Sequence, residues 1–393
     1  MNFDTLLDTL TPRIAALRRD LHAHPELAFG EWRTADVVAQ HLAALGLTVH
    51  RGLAGTGVVA SLQAGTSRRA IGLRADMDAL PIEELNTFAH RSTRPGQMHA
   101  CGHDGHVAML LGAAEALVTL HQAGHFDGTV HFIFQPAEEH ESGAKAMVAQ
   151  GLFEKFPMGA VFGLHNWPGL PVGEMAVRAG PVMAGADRFE ITLNGQGGHA
   201  AMPHQASDVV LAGAALVQTV QMLVSRQRDP LEPAVLSVAR FHAGHIDNVL
   251  PKTALLGGTV RTFSAAQQEK MEAALRQVCD GIAHSHGIKV SCLYERGYPP
   301  TLNTVAEAEL CAAAATQALG DGRVHRDLPP SMGAEDFAYL LQQRPGCYVW
   351  LGNGAGQGGC MLHSPTYDFN DALIPLGIRY WVRLVEQALP VGA

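Results

Sequence analysis

Between Thr56 and Leu164 the chain alternates short apolar runs with longer segments whose apolar residues recur at helical spacing. Thr56 to Gln63, Arg69 to Met77, Gly128 to Gln135 and Ala160 to Leu164 have strand length and strand composition, whereas Asp104 to His121 and Ala144 to Phe156 carry helix-period patterns. Strands and helices in alternation predict an α/β domain, a central mixed sheet flanked by helices. The opening segment, MNFDTLLDTLTPRIAALRRDL, has two Asp ahead of any basic residue and no uninterrupted apolar core, so it is an amphipathic helix and not a signal peptide.

Around Val182 the pattern changes. Phe189 to Leu193 alternates as a strand, Ser207 to Arg226 is a long apolar-faced helix, and Ala234 to Phe241 and Ala254 to Phe263 are two further strands. Ser264, with Gln267 three residues on, is a capping box that starts a helix running to about His286 and stopped by Gly287. Lys289 to Tyr294 is the last strand. The order β-α-β-β-α-β predicts a ferredoxin-like α+β unit. The expected division is a catalytic domain in two parts, 1–182 and 296–393, with a satellite domain, 183–295, inserted between them. In the returning part, Gly333 to Gln342 is predicted helical and Cys347 to Leu351 a strand, and a glycine-rich loop, Gly352 to Gly359, leads to His363. No GxxxxGK context surrounds that loop, so it is read as presenting a ligand and not as cradling phosphate.

Composition narrows the class. A chain of 393 residues exceeds the roughly 250–300 at which single cores stop growing, in keeping with two domains. A net charge of −9 offers no basic face to a phosphate backbone, so nucleic acid is not an expected partner. The most apolar helix-like run, Val107 to Leu120, is too short for a bilayer and contains Glu115, so no membrane span is expected. Cys101, Cys279, Cys292, Cys311, Cys347 and Cys360 form no CxxC pair, which suits a reducing compartment; a cytoplasmic location is expected.

Candidate chemistry follows the strands: Asp76 and Asp78 after one, Glu138 and Glu139 after another, His165 after a third. Open α/β sheets bind ligands just beyond the carboxyl ends of their strands. In QMHACGHDGH, Cys101 and His103 stand two apart, and on an extended segment their side chains share one side, ready to hold a metal. With Glu138, Glu139, His165 and His363 they supply soft, borderline and hard donors for two divalent ions and leave one carboxylate over. Singly, each residue has an ordinary reading. Most of the 21 His must be surface or core residues, and a Glu-Glu pair is normally a solvated helix face. His106 is not expected to be a ligand, and helix caps or core hydrogen bonds explain His24 and Glu335 as well as a site does.

The segments LRRDLHAHPELAFGE, GLRADMDALPIEE, MHACGHDGH, FQPAEE, GLHNWP, GGHAAMPH, NVLP, GTVRTF, MGAEDFA and LHSPTYDFND follow one another along the chain. In that order they resemble the dinuclear metallo-aminoacylases and carboxypeptidases, specifically the branch of hippurate hydrolases and indole-acetyl-amino acid hydrolases. The resemblance implies a zinc-exopeptidase-like catalytic domain with a satellite domain that pairs subunits into a homodimer or higher homo-oligomer. It implies Cys101, His103, Glu139, His165 and His363 as ligands of two divalent ions. Zinc, manganese, cobalt and nickel all suit that donor set. Glu138 takes the place of the general base and acid. His199 matches a histidine that stabilises the tetrahedral oxyanion, often in the neighbouring subunit's site, and Asn248 and Arg261 match positions that bind the substrate carboxylate. Asp78 is expected behind the metal, fixing an imidazole ligand. Asp76 stands where other branches have a metal-binding His, and His140-Glu141-Ser142-Gly143 stands where many relatives have glycines. The implied reaction is hydrolysis of N-acyl amino acids, such as N-acetyl or N-benzoyl derivatives, to a carboxylate and a free amino acid. A metallo-dipeptidase or carboxypeptidase is the neighbouring reading. A catalytically inactive binding protein is remote, since Glu138 and every matched ligand are present.

Overall fold

The computed structural model describes residues 3–121, 124–355 and 361–392. The chain folds into two compact units, one holding the chain up to Val182, Leu302–Pro329 and the chain from Asp336, the other Met183–Thr301 and Pro330–Glu335.

The first unit is built on a sheet ordered Thr48–Leu53, Gly57–Ala64, Gly128–Gln135, Ala70–Asp76, Ala160–Pro168, Gly346–Gly354, Met175–Ala176, Val324–His325. The four central strands run parallel, and the first two pair antiparallel at one edge. Parallel strands covered on both faces read as continuous apolar runs, and Gly346–Gly354 is buried along its whole length. The helix His103–His121 is apolar nearly all round, as a helix enclosed between a sheet and other helices must be. It packs against Phe3–Ala23 and Leu373–Ala388.

Three expectations changed at their ends. The predicted helix Ala144 to Phe156 is two, Gly143–Ala149 and Leu152–Lys155, because Gly151 turns left-handed with φ 86°. The strand expected to stop at Leu164 continues to Pro168, carrying the polar His165 and Asn166 into buried positions. Of Gly333 to Gln342, only Ala338–Leu341 is helical. The backbone just ahead is held by tertiary contacts instead, with the Asp336 carboxylate accepting the Ala144 N–H at 2.8 Å and Gln135 Nε2 at 2.8 Å. Residues 356–359 of the glycine-rich loop, and Cys360, lie outside the described residues.

The second unit holds a sheet ordered Ala234–Ala243, Thr253–Thr262, Gly185–Asn194, Lys289–Tyr298, antiparallel throughout. The helices Val209–Ser225 and Ala265–His286 pack on it around Phe189, Leu216, Leu256 and Leu275. Asp208 caps the first helix by accepting the Val210 and Leu211 N–H groups, and Ser264 caps the second through the Gln267 N–H at 3.2 Å. Gly287 ends that helix at φ 60°. The last strand runs past Tyr294 to Tyr298, which carries this unit beyond residue 295. Among the described residues no helix is long and apolar enough to cross a membrane.

Candidate metal centre

The central parallel strands end at one place. Ala70–Asp76 delivers Asp76 and Asp78, Gly128–Gln135 runs into Glu138 and Glu139, and Ala160–Pro168 carries His165. Cys101 and His103 do not lie on an extended segment. Gly102 between them takes φ 92°, and His103 opens a helix. A side chain at Gly102 would stand 2.3 Å from Asn166 Oδ1 and 2.7 Å from the Tyr367 hydroxyl, so only glycine lets the thiol and imidazole turn to the same point.

Cys101 Sγ lies 3.3 Å from His165 Nε2. Donor atoms of Cys101, His103 and His165 all fall within 4.8 Å of one another, and so do those of Cys101, Glu139 and His363. The five expected ligands thus form two trios that share the thiol. Glu139 Oε1 is 3.4 Å from His363 Nε2 and 3.8 Å from His103 Nε2. His363 stands on a left-handed turn at φ 66° with its side chain half exposed, and meets the cluster through Nε2. Both His103 Nε2 and Glu139 Oε1 are buried with no hydrogen-bond partner. Buried polar atoms left so are costly, and a divalent ion held by each trio would satisfy them, so the residues fit divalent metal.

The outer nitrogens of the two buried imidazoles are occupied. His103 Nδ1 lies 2.9 Å from the Asp78 carbonyl and 3.4 Å from its carboxylate, and His165 Nδ1 lies 2.6 Å from the Asn166 carbonyl. Each ring therefore turns Nε2 inward. Asp78 also does a second task that the sequence did not reveal: its two oxygens accept the N–H groups of Glu138 and Glu139, each at 3.0 Å. Glu138 Oε1 accepts the Asp336 N–H at 3.4 Å.

His106, three residues beyond His103, is buried with Nδ1 2.6 Å from Asp76 Oδ1 and Nε2 accepting the Asn166 N–H at 3.1 Å. Asp76 is in turn held by Arg74 at 2.7 Å, and Asn166 donates to the Tyr367 hydroxyl. Asn166 was visible in GLHNWP only as a neighbour of His165, and nothing in the sequence joins it to His106 or Tyr367.

Charge in the cluster follows from the carboxylates. Burial alone would lower the His103 pKa, but Asp76, Asp78 and Glu139 outweigh it and lift it to about 10. Burial, together with Glu139, Glu138 and Asp76, pushes the Cys101 thiol well above its ordinary value. Burial and the neighbouring His106 hold His165 well below its own. The negative charge that lifts His103 and adds to the rise at Cys101 is what attracts a cation.

The remaining expected residues belong to the second unit. His199 is exposed on Gly198–His199, which pairs with Val249–Leu250, and the Asn248 carbonyl accepts the Ala200 N–H at 3.0 Å, so both sit on one small ribbon. Arg261 is half-buried opposite Ala186, its pKa lowered by burial and by Arg188. Glu335 is buried in this unit. In the first unit, His24 bonds the Asp20 carbonyl at 2.8 Å within its own helix, and His140 and Glu141 are exposed.

Cysteine, imidazole and carboxylate donors gathered past parallel strands define a metal-dependent hydrolase of the α/β class. The chain belongs to peptidase family M20/M25/M40, whose family model matches residues 72–387. It is 36% identical over 373 residues to a hippurate hydrolase of Campylobacter jejuni, covering 95% of this chain and 96% of that one. To an N-acyl-L-amino acid amidohydrolase of Geobacillus stearothermophilus it is 43% identical over 299 residues, covering 76% and 80%. A crystal structure of a dinuclear metal-binding M20 peptidase from Bacillus subtilis matches with a TM-score of 0.84 at 33% identity, covering 97% of this chain and 99% of that one.

Proposed function

We propose that the protein is a dinuclear metal-dependent amidohydrolase that cleaves N-acyl amino acids to a carboxylate and a free amino acid. The observation that carries this reading is the pair of donor trios sharing Cys101, with Glu138 in the turn beside them. His103 and His165 would complete one site with the thiol, Glu139 and His363 the other. Bound divalent ions supply Lewis acidity, which makes water a usable nucleophile at neutral pH.

Glu138 takes the proton of the attacking water and hands it to the leaving amide nitrogen. It stands immediately before Glu139 on a turn whose N–H groups are held by Asp78, and a carboxylate oxygen of Glu138 lies within 4.8 Å of donor atoms of His103 and Glu139. His199 stabilises the oxyanion, and Asn248 and Arg261 hold the substrate carboxylate, for which a guanidinium fork is suited. Two copies pair through the second unit, and a reducing cytoplasmic setting keeps the Cys101 thiol available.

The test is a panel of N-acetyl-, N-benzoyl- and aminoacyl-amino acids, offered to protein stripped with chelator and reloaded with zinc, manganese, cobalt or nickel. Acyl substrates are expected to be cleaved only after reloading, in a rank order that also identifies the metal. A requirement for the free amine would make the enzyme a dipeptidase instead. Glu138→Gln is expected to lower kcat by about 100-fold or more while retaining bound metal. A near-normal rate in that variant would remove Glu138 from the mechanism.

A further inference from the structure

Glu31 is fully buried just ahead of the helix Trp32–Ala44 and takes no part in the donor cluster. Its Oε1 accepts two backbone N–H groups, from Phe29 at 3.1 Å and from Ala137 at 2.9 Å, while Oε2 accepts the Thr56 hydroxyl at 2.6 Å. Phe29 and Ala137 share an uncommon property: both are non-glycine residues in the left-handed region, at φ 58° and 56°. Such backbone persists where its surroundings over-determine it. Ala137 is also the residue before Glu138. With Asp78 accepting at the next two positions, three successive N–H groups, of Ala137, Glu138 and Glu139, all donate to buried carboxylates from distant parts of the chain.

We infer that Glu31 is a positioning residue for the reaction proposed above, holding Ala137 left-handed so that Glu138 and Glu139 enter the site in their working directions. This rests on that functional reading. Burial pushes the Glu31 carboxyl up to about 7, against the Thr56 and Ala137 hydrogen bonds that lower it. Whichever form is present, Oε1 remains an acceptor. A glutamine reproduces that oxygen and can donate to Thr56 from Nε2, whereas an alanine leaves the Ala137 N–H unheld.

The experiment compares Glu31→Gln, Glu31→Ala, Ala137→Gly and the double variant Glu31→Ala with Ala137→Gly in the full chain. Readouts are kcat, KM, the affinity for added metal and the thermal midpoint. Glu31→Gln is expected to stay within about threefold of wild type in both kcat and metal affinity, because it keeps the acceptor. Glu31→Ala should lose about 100-fold in kcat with little change in KM, the scale of a misplaced catalytic group. Its metal affinity should fall at least about tenfold, as when a group behind a ligand is removed. Glycine adopts the left-handed conformation freely, so the double variant should regain at least about tenfold of the lost kcat and most of the metal affinity. Ala137→Gly alone should remain within about threefold of wild type, the carboxylate still holding the turn.

Folded Glu31→Ala with wild-type kcat and metal affinity would overturn the inference. So would a double variant that recovers its thermal midpoint but neither kcat nor metal affinity, since Glu31 would then be structural only. Should Glu31→Ala fail to fold, Glu31→Asp replaces it with the same expectations, its carboxylate being one methylene short of the two N–H groups. If the wild type cleaves no member of the substrate panel, the functional reading fails, yet metal affinity across the variants still decides the role of Glu31.

Discussion

At the residue scale, the donor set depends on one atom being absent. Cys101, His103, Glu139, His165 and His363 were picked out in the sequence by the resemblance to the metallo-aminoacylases, their thiol, imidazole and carboxylate side chains suiting metal chemistry, and the structure brings their donor atoms together. How the first two converge was not legible there. An extended segment would have pointed both to one side, but the chain does it with a left-handed glycine at a helix start. Gly102→Ala is therefore expected to cost about 1–3 kcal/mol of stability. It should also drive Asn166 and Tyr367 away from their positions, with metal binding weakened in a titration; unchanged metal affinity and thermal midpoint would show that the turn tolerates a side chain. Asp78 and His106 were undervalued for a related reason. Their roles lie in hydrogen bonds to residues about 60 positions away or at 30, and no local pattern encodes such partners.

At the element scale, legibility tracked whether the deciding interactions were local. The helix Ala265–His286 was readable at both ends because Ser264 and Gly287 act on their own neighbours. Ser264→Ala should cost about 1 kcal/mol, seen as a lower thermal midpoint with unchanged kcat. The strand Ala160–Pro168 was cut short in the reading because His165 and Asn166 break its apolar run. Both are buried only because the site and its hydrogen bonds receive them. The segment before Ala338–Leu341 looked helical by period, but the Asp336 carboxylate is committed to Arg74, Gln135 and Ala144, and the backbone follows those bonds.

At the scale of the whole molecule, Arg18 ties together parts of the first unit that are far apart in the chain. Fully buried, it meets Asp104 at 2.8 Å and also pairs with Asp368 and Asp371. This joins the first helix, the start of the helix that His103 opens and the segment leading into the last helix. Burial works against the Asp104 charge, but Arg18 and His22 hold its carboxyl well below the usual carboxylate range. A depressed carboxyl stabilises the fold above its unfolded value, near 3.9, and loses that contribution as the pH falls through it toward the folded value. Thermal midpoints measured from pH 7 down to pH 3 should thus drop most steeply below about 4. Arg18→Met, which leaves Asp104 charged and unpaired, should cost about 3–5 kcal/mol at neutral pH and show a shallower acid limb. An equally steep limb in that variant would mean that other carboxylates control acid unfolding.

What the sequence determined by itself was whatever depends on residue type and short spacing: the α/β alternation, the β-α-β-β-α-β order of the second unit and the caps of its helix Ala265–His286, while the candidate donor residues were marked by the family resemblance. Tertiary structure alone decided which atoms of those residues face one another. The shared thiol, the Asp78 hold on two successive N–H groups, the His106–Asp76–Arg74 chain and the Glu31 contact with Ala137 all join segments separated by loops or whole strands. The physical reason is that hydrogen bonds and metal donors act over a few ångströms, and only the packed sheet brings distant residues within that range.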